Sequence, residues 1–116
     1  MVVAVAWVAE RGDIVWLHFN PHANHEQRGR RPALVISPSA YNRKVGLALF
    51  CPITSVVKGY PFEVELPEEV EADGAVLADQ IRNLDWRARN AERWCTAPAD
   101  VVEETTARIL ALVNPD

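Results

Sequence analysis

The chain has 116 residues, 49% hydrophobic and 24% charged, with a net charge of −4. That length suits one domain with a real core and is too short for two. The composition is that of ordinary soluble globular material, and the overall charge argues against loose attraction to nucleic acid.

The chain opens on "MVVAVAWVAE". This apolar run lacks the basic start of a signal peptide and falls far short of the ~20 residues that span a bilayer. A flexible terminus or an extra packed strand is expected, and no membrane association. "GDIVWLHF" (12–19) alternates, with Ile14, Trp16 and His18 on one face and Val15, Leu17 and Phe19 on the other. Both faces are largely apolar, which predicts a barrel strand with something packed outside it.

"NPHANHEQRGR" supplies turn formers and charge without periodicity and predicts a long loop over 20–30. "RPALVIS" is the second strand. Pro32 pushes Arg31 into extended geometry and cannot donate a ladder bond, so it belongs among the strand's first residues. "PSAYNRKVG" predicts a turn with at most one helical turn, and "LALFCPIT" a central buried strand. "KGYPFEVEL" predicts a turn and a fourth strand, in which Glu63 and Glu65 alternate with Val64 and Leu66. One strand is expected over "GAVLADQI" and another within "AERWCTA".

Pro98, then Asp100, Glu103 and Glu104, then Arg108, follow the charge order of a helix dipole. Val102, Ile109, Leu110 and Val113 would form the apolar face of that helix, which Asn114-Pro115 stops. Short strands closed by a terminal helix predict a mainly β fold with some α, a small and strongly bent barrel.

Charge is segregated along the chain. From Gln27 to Phe62 stand six bases (Arg28, Arg30, Arg31, Arg43, Lys44, Lys58) and no acid. From Glu63 to Asp73 stand six acids (Glu63, Glu65, Glu68, Glu69, Glu71, Asp73) and no base. Such a division either builds a cationic groove or covers two solvated faces of opposite sign.

Few residues suit chemistry. Cys51 and Cys95 form no CxxC pair and no disulfide framework, so both are expected to be reduced, cytosolic and structural. His18, His22 and His25 share a window, but no H-x3-H spacing and no Cys or carboxylate cluster completes a metal set. No Gly-rich phosphate loop and no GxSxG elbow is present. Ser37 and Ser39 lie beside prolines without a nearby base.

The group Glu26, Arg28, Arg30 and Arg31 is the best candidate, with a solvated charged loop as the bland alternative. Arg31 is pinned at a strand entrance by Pro32, and a positioned guanidinium presents a planar fork to phosphate oxygens. Thr54 and Ser55 follow a buried strand, so their hydroxyls emerge at a rigid edge with Lys58 close behind. Cation, hydroxyl and carboxylate are what phosphodiester cleavage requires when no metal takes part.

These residues resemble the MazF/PemK family of bacterial toxin endoribonucleases. The resemblance is carried by "GDIVWLHFNP", "EQRGRRPALVISPSAYN", "CPITSVVKGYPFEVEL" and "GAVLADQIRNLDWRARN", and runs from about Gly12 to the C-terminal helix. Residues 1–11 lie outside it, as an extension of a single toxin domain spanning 1–116. The filled catalytic positions resemble the MazF branch more closely than the gyrase-poisoning CcdB branch of the same fold.

The resemblance implies an SH3-like barrel that dimerises, with RNA in a groove near the subunit interface. It implies catalytic roles for Arg31 and Thr54 and a supporting one for Glu26. Phe19, Asn20, Arg28, Ser55, Lys58 and Gln80 match positions expected near the RNA. The implied activity is sequence-specific cleavage of single-stranded RNA in the cytoplasm, with no cofactor, held inactive by an acidic, partly disordered MazE-like antitoxin. The first loop departs from the family, so no cleavage motif is carried over. Two other readings stand beside the enzyme: a non-enzymatic barrel that poisons a protein such as DNA gyrase, and an interaction module for the antitoxin alone.

Overall fold

Seven antiparallel strands and two helices carry the fold, in a computed structural model that describes residues 7–19 and 29–114. β1 (Asp13–His18) forms where the alternation placed it and pairs with β2 (Arg30–Val35). β2 leads into α1 (Ser39–Val45), a short helix where one turn was expected. Gly46 closes that helix at φ 79°, a left-handed cap that glycine adopts without a Cβ penalty, and Arg43 and Lys44 sit at its negative end.

β3 (Ala48–Thr54) is the strand around which the sheet bends. One edge pairs with β2. The other edge is shared, since β5 (Ala75–Leu77) pairs with Ile53 and Thr54 while β6 (Arg82–Leu84) pairs with Ala48 to Phe50. β4 (Glu63–Glu65) continues beyond β5, and β7 (Glu92–Thr96) lies on the far side of β1.

The single strand expected over 74–81 is therefore two strands joined by a 3₁₀ turn, Ala78–Gln80. The chain must step from one end of β3 to the other, which an unbroken strand cannot do. The step is fixed by the Ala78 N–H to the Phe62 carbonyl (3.0 Å) and by the Tyr60 hydroxyl to Asp79 (3.0 Å).

Both faces of β1 are buried, as its two-sided apolar pattern predicts. Ile14 joins Leu34, Cys51, Ile53 and Val76 beneath α2 (Ala99–Val113). Val15 and Leu17 join Ala33, Phe50, Leu84 and Trp86 in a second core. The described part of the apolar opening, 7–10, packs on that second core as irregular chain, and the rest of that run, 1–6, lies outside the described residues. Trp7 meets Trp86 edge-on at 5.4 Å, and the Ala9 carbonyl accepts from the buried Asn42 amide at 2.7 Å.

Asn42 also accepts the Ser37 hydroxyl proton (2.5 Å), and Ser37 Oγ accepts the Leu49 N–H (2.8 Å). Ser37 is thus spent on structure. His18, on the strand face it shares with Ile14 and Trp16, is buried at 3% exposure.

The terminal helix starts after Pro98 as expected, but its buried face is Val101, Val102 and Thr105. Val102 and, partly buried, Ile109 of the expected apolar face do pack on the core. Leu110 and Val113, expected on that apolar face, are exposed along with Leu112. Among the described residues, no helix is long and apolar enough to cross a membrane.

Cys51 and Cys95 are free thiols and buried. Burial, aided by the Asp79 charge, pushes the Cys51 thiol up to about 12, and burial also raises Cys95. At pH 8 the thiolate fraction of Cys51 should be roughly 10³-fold below that of an ordinary cysteine. Iodoacetamide should therefore label Cys51 only after denaturation, as peptide mass spectrometry would show; rapid labelling of the native chain would contradict this burial.

Candidate active site

The ladder between β2 and β3 ends at Ala33 opposite Pro52. Two residues further along the same register, Arg31 faces Thr54. By then β3 has turned away to pair with β5, so the two side chains look across an open fork in the sheet. Prolines at 32 and 52 suit that fork, because neither can donate a hydrogen bond to extend the ladder.

Side chains alternate along β2, and the two neighbouring arginines part company. Arg30 turns back against β7, where Nη2 bonds Glu92 at 3.2 Å, and its side chain is only 13% exposed. Arg31 is exposed, and among the described residues its guanidinium has no hydrogen-bond or ion-pair partner. An exposed cation held at a strand end, with no partner among the described residues, is available to an external anion.

Thr54 is fixed by its own turn. Its Oγ1 accepts the Val56 N–H at 3.1 Å and donates to the Val56 carbonyl only at 3.4 Å, so its proton can be redirected to a better acceptor. Gly74 holds Thr54 from behind at φ +110°. A Cβ added at Gly74 would lie 1.8 Å from the Thr54 carbonyl oxygen, which only glycine avoids.

The loop after Ser55 is built with equal care. The Glu63 carboxylate is buried rather than solvated, and accepts the N–H groups of Lys58 (3.0 Å) and Gly59 (2.6 Å). Arg108 of α2 braces the same loop by donating to the carbonyls of Pro61 and Glu63.

Two clefts meet at the fork, and Arg31 and Thr54 line both. The larger, about 630 Å³, adds Ser55, Trp16, Trp94, Glu71 and Asp73. The smaller, about 310 Å³, adds Phe19, Leu77, Gln80 and Arg82. Arg89 anchors the strand end that delivers Phe19, bonding the carbonyls of His18 (3.2 Å) and Phe19. Arg82 lies over the Phe19 ring at 5.7 Å.

Of the residues singled out from sequence, the fork brings together Arg31, Thr54, Ser55, Phe19 and Gln80. Lys58 lines neither cleft, and its backbone N–H is bonded to the Glu63 carboxylate. Glu26, Asn20 and Arg28 lie outside the described residues, as do His22 and His25. Among the described residues, no group of three His, Cys, Asp or Glu side chains is gathered as metal ligands.

Sequence reasoning missed Trp16, Trp94, Glu71, Asp73, Arg82 and Gly74. The acids were the least accessible to it. They are segregated from the bases in the chain, yet the fold returns Glu71 and Asp73 to the cleft that Arg31 lines.

A seven-stranded bent sheet closed by a terminal helix matches a known class. The chain belongs to the PemK-like, MazF-like toxins of type II toxin–antitoxin systems, whose family profile matches residues 10–113. It is 43% identical over 108 residues to the endoribonuclease toxin MazF of Escherichia coli K12, covering 93% of this chain and 96% of that one.

The fold superposes on crystalline MazF from Deinococcus radiodurans with a TM-score of 0.84 and 54% identity, over 93% of this chain and 98% of that chain. A MazE–MazF crystal structure from the same organism matches with a TM-score of 0.83 and 49% identity, over 93% and 97% of the two chains.

Proposed function

We propose that the chain is an endoribonuclease toxin that cuts single-stranded RNA at a short motif, using the RNA's own 2′-hydroxyl and no metal ion. The observation that carries this reading is Arg31, without a partner among the described residues, facing Thr54 where two clefts meet. RNA carries its own nucleophile, the 2′-hydroxyl on the carbon next to the one whose 3′-oxygen bears the scissile phosphate, so orientation and charge stabilisation suffice for the chemistry.

The 2′-oxygen attacks phosphorus while a base takes its proton, and Glu26 is assigned that role. Arg31 stabilises the extra negative charge on the phosphate oxygens, and the Thr54 hydroxyl donates to one of them. The bond from phosphorus to the 5′-oxygen then breaks, and that oxygen takes up a proton. Arginine is a poor acid, with a pKa above about 12, so Arg31 serves as a fixed charge and not as that proton donor. The products are a 2′,3′-cyclic phosphate, which can open to a 3′-phosphate, and a 5′-hydroxyl.

The protein acts in the cytoplasm and works as a homodimer, the dimer being supported by the exposed apolar end of α2 at Leu110, Leu112 and Val113. A cognate antitoxin, acidic and MazE-like, holds it inactive. Incubation with a long RNA, followed by mapping of the new 5′ ends, tests the activity. Cuts at one short motif with 5′-hydroxyl ends are expected. Growth arrest by a chain that leaves RNA intact would instead indicate a barrel that poisons a protein target.

RNA affinity should fall steeply with salt despite the net charge of −4, because Arg31 and its neighbours, not the whole surface, make the contacts. The antitoxin tail should compete with RNA for the Arg31 fork, ordering as it binds. A fluorescence competition titration reads this, and independent simultaneous binding of tail and RNA would refute the overlap.

A further inference from the structure

We propose that the larger cleft is a base-reading subsite. Trp94 stacks on the base of a nucleotide beside the scissile phosphate, and Glu71 and Asp73 favour bases bearing an exocyclic amine over uracil. The inference rests on the endoribonuclease reading and adds to it a ligand class for one side of the fork.

The first observation is a β-bulge. Along β1 and β7, Val15 pairs with Arg93 whereas Ile14 pairs with Cys95, which leaves Trp94 as the extra residue. A bulge turns its extra residue out of the strand's alternation, a device that re-aims side chains beside active sites. Here it lays the Trp94 ring against Trp16, with centroids 4.7 Å apart and planes 29° from parallel. Trp16 stands opposite Pro32 in the register, next to Arg31. Both rings are half-buried and both line the cleft, so the pair presents aromatic surface within reach of the scissile position.

The second observation is charge. Glu71 and Asp73 line the same cleft and are exposed. Two carboxylates repel a phosphate, so the RNA backbone stays with Arg31 and what enters the cleft is a base. A flat aromatic surface offers stacking to any base. Carboxylates add discrimination, because they accept hydrogen bonds from an amine such as cytosine N4 and oppose the O4 carbonyl that uracil presents instead. A volume of about 630 Å³ accommodates a nucleotide's base.

The test uses the full chain and short oligoribonucleotides carrying its mapped motif, with each of the four bases placed in turn on either side of the scissile phosphate. Trp94→Ala should raise KM about 10-fold or more with kcat little changed, as loss of one stacked base requires. Trp94→Phe should recover most of that loss. Because Trp94 also packs on the core, a second variant keeps the question open to refutation. Glu71→Gln with Asp73→Asn, at exposed positions, should abolish the preference against uracil at one flanking position and leave the best substrate cleaved.

Cleavage with KM unchanged in Trp94→Ala, and base preference unchanged in the double variant, would overturn this proposal alone. Weaker antitoxin binding by Trp94→Ala with KM unchanged would assign the cleft to the protein partner and overturn it equally. Failure of the unsubstituted chain to cut RNA would remove the activity reading and this subsite together.

Discussion

Replacing Arg31 by alanine should lower RNA cleavage by about 10³-fold or more, the usual cost of losing a preorganised charge at a phosphoryl centre. The fold should survive, because the side chain is exposed and among the described residues it bonds to nothing. Arg31→Lys should recover little, since a point charge does not reproduce the guanidinium fork. Arg30→Ala is the control. Its guanidinium is turned against Glu92, so its loss removes a partly exposed ion pair and not a contact to phosphate. Single-turnover cleavage of one RNA by the three variants, with circular dichroism to confirm folding, decides the matter. Equal losses in Arg30→Ala and Arg31→Ala would mean that the fork is not the reactive centre.

Gly74→Ala should be the next most damaging change, although Gly74 itself lines neither cleft. The added carbon would stand 1.8 Å from the Thr54 carbonyl oxygen and 2.8 Å from its carbon, and neither can yield without moving the backbone. The left-handed φ of +110° adds strain of its own. A displacement of about 1 Å at a reacting group can cost on the order of 10²-fold in rate, so cleavage should fall by at least that much. The melting temperature should fall by several degrees as well, roughly what 1 kcal/mol or more of strain removes from a domain of this size. A variant with normal rate and normal melting temperature would show that Gly74 does not set the position of Thr54.

The first three strands were legible because their physics is local. Alternation marks β1, Pro32 marks the entrance to β2, and the apolar run marks β3. The same proline separates Arg31 from Arg30, and the family resemblance picks out the same residue. What stayed hidden depends on pairing. The break between β5 and β6 exists because β3 shares one edge between two partners.

Glu63 alternates as a solvent-facing residue should, yet it is buried because two loop N–H groups require an acceptor. Trp94 reads as an ordinary strand residue, and a one-residue bulge leaves no periodic trace. The terminal helix was recognised, but a hydrophobic pattern does not reveal that its last turns run beyond the sheet. Leu110 and Val113 are exposed for that reason.

The most direct measurement of the mechanism uses two RNAs that differ by a single oxygen. One is all-ribose, and the other carries one deoxyribose on the 5′ side of the scissile phosphate, both in excess EDTA. The all-ribose RNA should be cut at its normal rate, leaving a 2′,3′-cyclic phosphate and a 5′-hydroxyl, while the deoxy RNA should stay intact. Cleavage of the deoxy RNA would mean an external nucleophile, and loss of all cleavage in EDTA would mean a required metal ion; either result contradicts metal-free 2′-hydroxyl attack supported by Arg31, Thr54 and Glu26.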